Sequence, residues 1–98
     1  MLDKMKALFE MQKKMQEVKR HLDSANFDIQ SSDGAVKITM NGAQVVQEIT
    51  IKDNLEDQER ARLASSLKDT FNRAIKRSQD IAAQKMKDVT GINIPGLT

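Results

Sequence analysis

The most informative chemistry in this 98-residue sequence is carried by basic side chains that recur in two segments. Residues 1–22 hold six lysine and arginine residues against three acidic ones, a net charge of +3. Residues 60–98 hold eight against three, a net charge of +5, whereas residues 23–59 hold two against eight, a net charge of −6. Clustered cations attract polyanions and clustered carboxylates repel them. The pattern therefore predicts that a polyanion binds at the two terminal segments.

Nine of the basic side chains are predicted to contact DNA phosphate groups, because helical periodicity gathers them on the polar faces of two helices. They are Lys6, Lys13, Lys14 and Arg20 in the first segment, and Arg62, Arg73, Lys76, Arg77 and Lys87 in the third. A competing interpretation is that the first set forms i,i+3 ion pairs with Asp3, Glu10 and Glu17, worth roughly 0.2–0.5 kcal/mol each on a solvated face. The first segment alone supports the two interpretations about equally.

Residues that could support catalysis or bind a metal are scarce. The sequence holds no cysteine and a single histidine, His21, near the end of the predicted first helix, where a solvated histidine interacts favourably with the helix dipole. Glu56, Asp57 and Glu59 fall in the first turn of another predicted helix, where the same dipole accounts for them. We therefore expect no enzymatic activity, no catalytic residue, no metal site, no cofactor and no small-molecule substrate.

Length and composition predict one domain, over residues 1–98, that associates with itself. Hydrophobic residues make up 39% of the chain and aromatic residues only 3%, which leaves few large side chains for a monomeric core. No stretch approaches the roughly 18 apolar residues of a membrane span. The N-terminal residues mix lysine with glutamate and lack the apolar run of a signal peptide. We expect no membrane partner and a cytoplasmic location.

Hydrophobic periodicity predicts the elements that must position the basic side chains. A first helix is expected over about residues 3–22, because apolar residues there alternate between spacings of three and four. This apolar seam consists of Leu8, Met11, Met15, Val18 and Leu22. A seam this narrow is typical of a helix that packs against a neighbouring helix.

The middle of the chain alternates between apolar and polar residues, which predicts three antiparallel strands at about residues 27–32, 35–40 and 44–51. Asp33-Gly34 and Asn41-Gly42 are typical of tight hairpin turns between them. The apolar faces are predicted to consist of Val36, Ile38 and Met40 on the second strand and Val45, Ile49 and Ile51 on the third. Such a sheet face has to be covered by helices.

One long helix is predicted over about residues 55–89, with Asn54 as its N-cap and Gly91 at its C-terminal end. Its apolar side is predicted to carry Leu63, Leu67, Phe71, Ala74, Ile75, Ile81, Ala82, Met86 and Val89. It would be about 50 Å long at a rise of about 1.5 Å per residue, whereas strands of this size span about 20 Å. Part of the helix must therefore project beyond the sheet. Residues 91–98 are expected to form a loose tail.

The three aromatic residues, Phe9, Phe27 and Phe71, are predicted to be packing residues. Stacking on single-stranded bases is disfavoured, because the chain holds no tyrosine or tryptophan. The sequence also shows no helix-turn-helix spacing, no zinc finger and no identifiable recognition helix. We therefore expect duplex DNA to be bound with little sequence specificity.

Several sequence segments are informative through their order and spacing. They are Met11–Glu17, Gly34–Gly42, Val46–Ile51, Phe71–Ala74, Lys85-Met86, Thr90-Gly91 and Ile94–Gly96. On these segments the chain resembles the YbaB/EbfC family of bacterial nucleoid-associated DNA-binding proteins. The resemblance implies an α+β fold of order α-β-β-β-α, with a three-stranded antiparallel sheet. It also implies a tweezer-like homodimer whose long terminal helices grip double-stranded DNA in the nucleoid, with a role in nucleoid organisation and gene regulation.

Two departures from the family pattern concern the connections between elements. Residues 24–32 hold no glycine, where a glycine-rich link is common, and Lys52-Asp53-Asn54-Leu55 replaces an aspartate-proline step. Neither departure changes the basic helix faces. The alternative function is a non-enzymatic, dimeric protein-interaction module that binds an acidic protein partner, since the same seam and charged faces would serve it. Binding to anionic lipid is less favoured, because bulky apolar anchors are scarce.

Overall fold

The computed structural model describes residues 2–91, and it has the predicted α+β class and α-β-β-β-α order. Its elements are α1 (Leu2–Ser24), β1 (Phe27–Gln30), β2 (Val36–Met40), β3 (Val46–Ile51), α2 (Asp57–Ala61) and α3 (Leu63–Thr90). The predicted tail lies outside the described residues, except for Gly91. Gly91 ends α3 as predicted, because it adopts a left-handed conformation and its N–H donates to the carbonyl of Lys87 at 2.8 Å.

The strands form one antiparallel sheet in the order β1-β2-β3. Val36 lies opposite Ile51 and Ile38 opposite Ile49, as alternation predicts. An irregularity between Thr39 and Met40 then shifts the register, so that Met40 lies opposite Val46. The predicted apolar face of β3 was therefore wrong at one position: Val46 packs against the core, and Val45 is half exposed.

The connection between β1 and β2, residues 31–35, contains the predicted turn at Asp33-Gly34, because the Gly34 N–H donates to the carbonyl of Ser31 at 3.0 Å. The Asp33 carboxylate accepts hydrogen bonds from the Ser31 hydroxyl at 2.6 Å and from the Ala35 N–H at 3.0 Å. These bonds hold the pKa of Asp33 below its usual value, and the bond from Ser31 has the largest effect. The stability they contribute is present at neutral pH and is lost as the pH falls through that lowered pKa.

The predicted turn at Asn41-Gly42 is also present, because the Gln44 N–H donates to the carbonyl of Asn41 at 3.2 Å, and the asparagine side chain organises it. The buried Asn41 accepts hydrogen bonds from the N–H groups of Ala43 at 2.9 Å and Val45 at 3.0 Å. The positive φ of this loop falls at Gln44, with φ 62°, and not at Gly42. Gly42 is required for a close approach instead, because a Cβ there would lie 2.8 Å from Leu22 Cδ2.

We expect Gly42→Ala to destabilise the fold by about 1–3 kcal/mol, because the added methyl group would push on both helices. Besides Leu22, it would meet Ile81 Cγ2 at 3.2 Å. Urea unfolding should show a lower midpoint with an unchanged slope. Gly34→Ala is the comparison: it has φ +73° and no neighbouring atom within 4 Å, so only its backbone strain, about 1 kcal/mol, should be measured. An unchanged midpoint for Gly42→Ala would contradict the close contact.

The predicted long helix is interrupted, and Asn54 is not its N-cap. The Lys52 N–H donates to the carbonyl of Ala35 at 2.8 Å, so the chain is still bonded to the sheet at this residue. The chain then changes direction at Asn54, which adopts the left-handed φ of 55°. The helix begins after Glu56, which forms a reciprocal capping box with Glu59. The hydrogen bond that the Glu56 N–H donates to the Glu59 carboxylate lowers the pKa of Glu59, and the hydrogen bond from the Lys52 ammonium lowers it further. A turn at Arg62 then separates α2 from α3.

The core lies between β1, β2 and the first half of α3. Its buried members are Ala35, Val36, Ile38, Met40 and Ala74, with Phe27, Ile29, Val46, Leu55, Leu63, Leu67 and Ile75 packed around them. On α3 the most buried line is Thr70, Ala74 and Ser78, four residues apart. Small side chains let the helix lie close to β2, and the Ser78 hydroxyl donates to the carbonyl of Asn41 at 2.9 Å. Phe27 packs as predicted, whereas Phe71 is 37% exposed.

The apolar seam of α1 is buried only toward its C-terminal end. Val18 is buried and Met15 is half-buried, but Leu8 is 66% and Phe9 60% exposed, so Phe9 does not pack as predicted. Leu22 and Ile81 both border Gly42, and α1 runs antiparallel to the second half of α3. We call α1 together with residues 76–90 of α3 the helical arm. Residues 2–91 have extents of 67 × 22 × 15 Å.

Candidate nucleic-acid interface

All nine predicted phosphate-contacting side chains are exposed, but they do not lie on one surface. The helical arm carries seven of them: Lys6, Lys13, Lys14, Arg20, Lys76, Arg77 and Lys87. Arg62 lies at the turn between α2 and α3, and Arg73 lies where α3 crosses the sheet. The fold therefore brings most of the predicted set together on the arm and leaves two members beside the sheet.

The cations of α1 form no ion pair with the acidic residues of the same helix within residues 2–91. Among residues 2–91 the ion pairs are Lys52–Glu59, Arg60–Asp57 and Lys76–Asp80, and none lies on α1. The competing interpretation, an i,i+3 ion-pair lattice on this helix, is therefore not supported by the structure. Lys6, Lys13 and Arg20 point into solvent without a charged partner within the described part of the chain.

The cations of the third segment differ in how far they are already engaged. The Arg73 guanidinium donates to the carbonyl of Gln30 at 2.7 Å and thereby ties α3 to the end of β1. Lys76 pairs with Asp80 at 3.2 Å, and Arg62 Nε donates to the carbonyl of Gln58 at 3.4 Å. Within residues 2–91, the side chains of Arg77 and Lys87 make no hydrogen bond or ion pair.

Folding changes the charge map that the sequence suggests. The helical arm holds ten basic and six acidic residues, a net charge of +4. Residues 25–75, which form the sheet half, hold six and eight, a net charge of −2. The charge of the acidic middle of the chain is partly offset, because Lys68 and Arg73 lie on the first half of α3, which packs against the sheet, and Arg62 immediately precedes that helix. The arm is nevertheless the positively charged half of the molecule.

Two residues outside the predicted set also face the arm's surface. His21 of α1 and Lys85 of α3 line a groove between the two helices, together with Arg77. Lys85 follows Arg77 by eight residues, about two helical turns, so helical spacing could have identified it. No sequence signal places His21 beside them, because that proximity depends on how α1 packs against α3.

Residues 2–91 contain no group of three or more histidine, cysteine or acidic side chains arranged to hold a metal ion. No helix within this range has the length and apolar character needed to cross a membrane.

The sequence of this chain is similar to those of known proteins. A profile of the YbaB/EbfC DNA-binding family matches residues 1–92. A nucleoid-associated protein of Flavobacterium johnsoniae is 33% identical over 91 residues, which cover 92% of this chain and 84% of the relative. A nucleoid-associated protein of Clostridium kluyveri is 32% identical over 95 residues, which cover 95% and 83%.

The similarity to one solved structure concerns only the fold. The crystal structure of the uncharacterized protein HP0035 from Helicobacter pylori aligns with a TM-score of 0.51 at 24% sequence identity. The alignment covers 78% of this chain and 94% of that protein.

Proposed function

Because this chain belongs to the YbaB/EbfC DNA-binding family, we propose that it binds duplex DNA as a homodimer, mainly through phosphate contacts and with little sequence specificity. The observation that carries the mode of binding is that the exposed cations of α1, together with Arg77 and Lys87 on α3, form no ion pair within residues 2–91. Side chains of this kind neutralise phosphates in any sequence.

The charge distribution supports an orientation for the duplex. DNA would lie along the helical arm, whose net charge is +4, and away from the sheet half, whose net charge is −2. Arg73 would contribute mainly by holding α3 on the sheet, because its guanidinium already binds the carbonyl of Gln30. The main phosphate contacts are therefore assigned to α1, Arg77 and Lys87.

The homodimer is supported by an apolar surface that one chain leaves open. Ile49 and Ile51 of β3 lie on the same sheet face as the buried Ile38 and Val36, yet they are 49% and 43% exposed. Within residues 2–91, α3 packs against β1 and β2 and not against β3. A second copy placed on this edge would complete the cover of the sheet and present a second basic arm to the same duplex.

The relatives named nucleoid-associated proteins suggest the cellular setting. We propose that this protein acts in the cytoplasmic nucleoid, in nucleoid organisation and gene regulation. Phosphate-dominated binding suits this role, because a protein that coats or bridges a chromosome has to bind many different sequences.

The proposal is tested by titrating the protein against an unrelated duplex at several salt concentrations. A grip of about 4–6 phosphate contacts should lose on the order of a hundredfold or more in affinity over a fourfold rise in salt. The logarithm of the binding constant should fall linearly with the logarithm of the salt concentration, and unrelated duplexes should compete almost equally.

Two outcomes would contradict the proposal. Absence of any mobility shift at low salt would favour the alternative, in which the charged arm binds an acidic protein partner. A strong preference for one duplex that persists at high salt would require a base-reading element, and phosphate contacts alone could not explain it.

A further inference from the structure

A polar groove of about 380 Å³ lies in the helical arm, where α1 and α3 come together. His21 lines it from α1, and Arg77, Ile81, Lys85 and other polar residues line it from α3. An adjoining depression on the α1 side is lined by Glu17, Arg20, His21, Ser24 and Lys85. His21 and Lys85 border both hollows, so they mark the centre of one continuous polar surface.

The two acidic side chains that line the groove from α3, Asp80 and Asp88, are already engaged, whereas the main cations of the groove are not. Asp80 pairs with Lys76 at 3.2 Å, and Asp88 accepts a hydrogen bond from the Gln84 amide at 2.8 Å. Within residues 2–91, no hydrogen bond or ion pair involves the side chains of Arg77 or Lys85. Lys85 is only partly exposed, so less side-chain freedom is lost when its ammonium group binds an anion.

The charge balance of the groove depends on His21, the only histidine in the chain. The charged groups around it are Glu17 and Arg20 from α1, and Lys76, Arg77, Asp80, Lys85 and Asp88 from α3. These four cations and three anions give a net charge of +1 with His21 neutral and +2 with His21 protonated. Protonation of one imidazole thus doubles the local net charge.

We propose that this groove binds a single DNA phosphodiester between the two helices, with Arg77 and Lys85 as permanent donors and protonated His21 as a pH-dependent one. The inference rests on the proposed function and adds two residues to the binding surface, His21 and Lys85. Three donors from two helices can surround one phosphate, whereas a cation on a single exposed helix face contacts it from one side.

The protonation state of His21 determines the direction in which DNA affinity should change with pH. A bound phosphate stabilises the imidazolium form, so binding and protonation of His21 favour each other. Affinity should therefore be higher when His21 is protonated than when it is neutral.

The test measures the affinity of the intact protein for one duplex at fixed salt, at about pH 6 and about pH 8, which bracket histidine titration. The wild-type protein should bind about threefold to tenfold more tightly at the lower pH. His21→Gln should lose most of this difference while keeping its affinity at the higher pH. The α-amino group also titrates in this range and is retained in the variant, so the comparison isolates the imidazole.

A second variant tests the permanent donor. Lys85→Gln should weaken binding at both pH values and reduce the salt slope by about one phosphate contact. Lys68→Gln removes the same charge from an exposed site of α3 beside the sheet and should change neither quantity appreciably. A direct readout is the imidazole NMR titration of His21 in the wild-type protein, whose midpoint should move to higher pH when duplex is added.

The outcomes separate this inference from the function on which it rests. If the wild-type protein binds no duplex at either pH, the proposed function fails. If it binds but His21→Gln keeps the full pH dependence, or the imidazole midpoint does not move with DNA, the phosphate site at this groove is wrong and DNA binding stands. Equal behaviour of Lys85→Gln and Lys68→Gln would also overturn the site.

Discussion

Reversing two charges on the helical arm, Arg77→Glu together with Lys87→Glu, is expected to weaken duplex binding on the order of a hundredfold or more at low salt. Both side chains are exposed and have no partner within residues 2–91, so the change should remove phosphate contacts without breaking intramolecular ones. In the proposed homodimer each substitution is present twice, which would multiply the loss. A fluorescence anisotropy titration would measure it, with circular dichroism to confirm that the helices are retained.

The structure changes the choice of residues for this experiment. Arg73 also belongs to the predicted phosphate-contacting set, but its guanidinium donates to the Gln30 carbonyl at 2.7 Å, and reversing its charge would loosen α3 from the sheet. A matched control is Lys37→Glu with Lys68→Glu, which changes the net charge equally in the sheet half. Equal losses for the two double variants would mean that net charge alone matters, and the arm would not be the binding surface.

Introducing a carboxylate at the edge of the sheet, Ile49→Asp, is expected to weaken self-association on the order of a hundredfold or more. Ile49 lies opposite the buried Ile38 and is 49% exposed in one chain, so an aspartate there is tolerated in the monomer. In a dimer that covers this face, the same carboxylate would be buried without a partner. Light scattering after size exclusion should show the wild-type protein at twice its 11.0 kDa chain mass and the variant at the chain mass.

The adjacent residue provides the control for this experiment. Thr50 lies opposite Lys37, which alternation places on the polar face of the sheet, so Thr50→Asp should leave the dimer intact. Duplex affinity should fall with Ile49→Asp and not with Thr50→Asp, because a monomer has only one arm. A dimeric Ile49→Asp variant would exclude β3 from the interface and direct attention to the exposed seam of α1.

Features that depend on neighbouring residues could be predicted from the sequence. The α-β-β-β-α order, the inward-facing Val36, Ile38 and Met40, and the helix stop at Gly91 follow from periodicity and backbone preference, and all are confirmed. The resemblance to the YbaB/EbfC family is confirmed by the match to residues 1–92. Self-association and the identity of the phosphate-contacting residues stay predictions.

Features that depend on distant residues could not be predicted in this way. A glycine after an asparagine is typical of a turn that needs positive φ. Position 42 instead needs a glycine because Leu22 and Ile81 leave no room for a Cβ atom there. The register shift beside Met40 puts Val46 rather than Val45 against the core. In each case the deciding neighbour lies on another element, so the local pattern carries no signal of it.

The same distinction separates the parts of the candidate DNA-binding surface. The sequence by itself determined that cations are concentrated in the two helical segments, because charge and helical period are local properties. Only the tertiary structure decided which cations are free. Arg73 is bound by a carbonyl 43 residues away, and His21 meets Lys85 because α1 runs antiparallel along α3. A charged side chain's availability depends on the groups that folding brings within hydrogen-bonding distance, and those groups come from other segments of the chain.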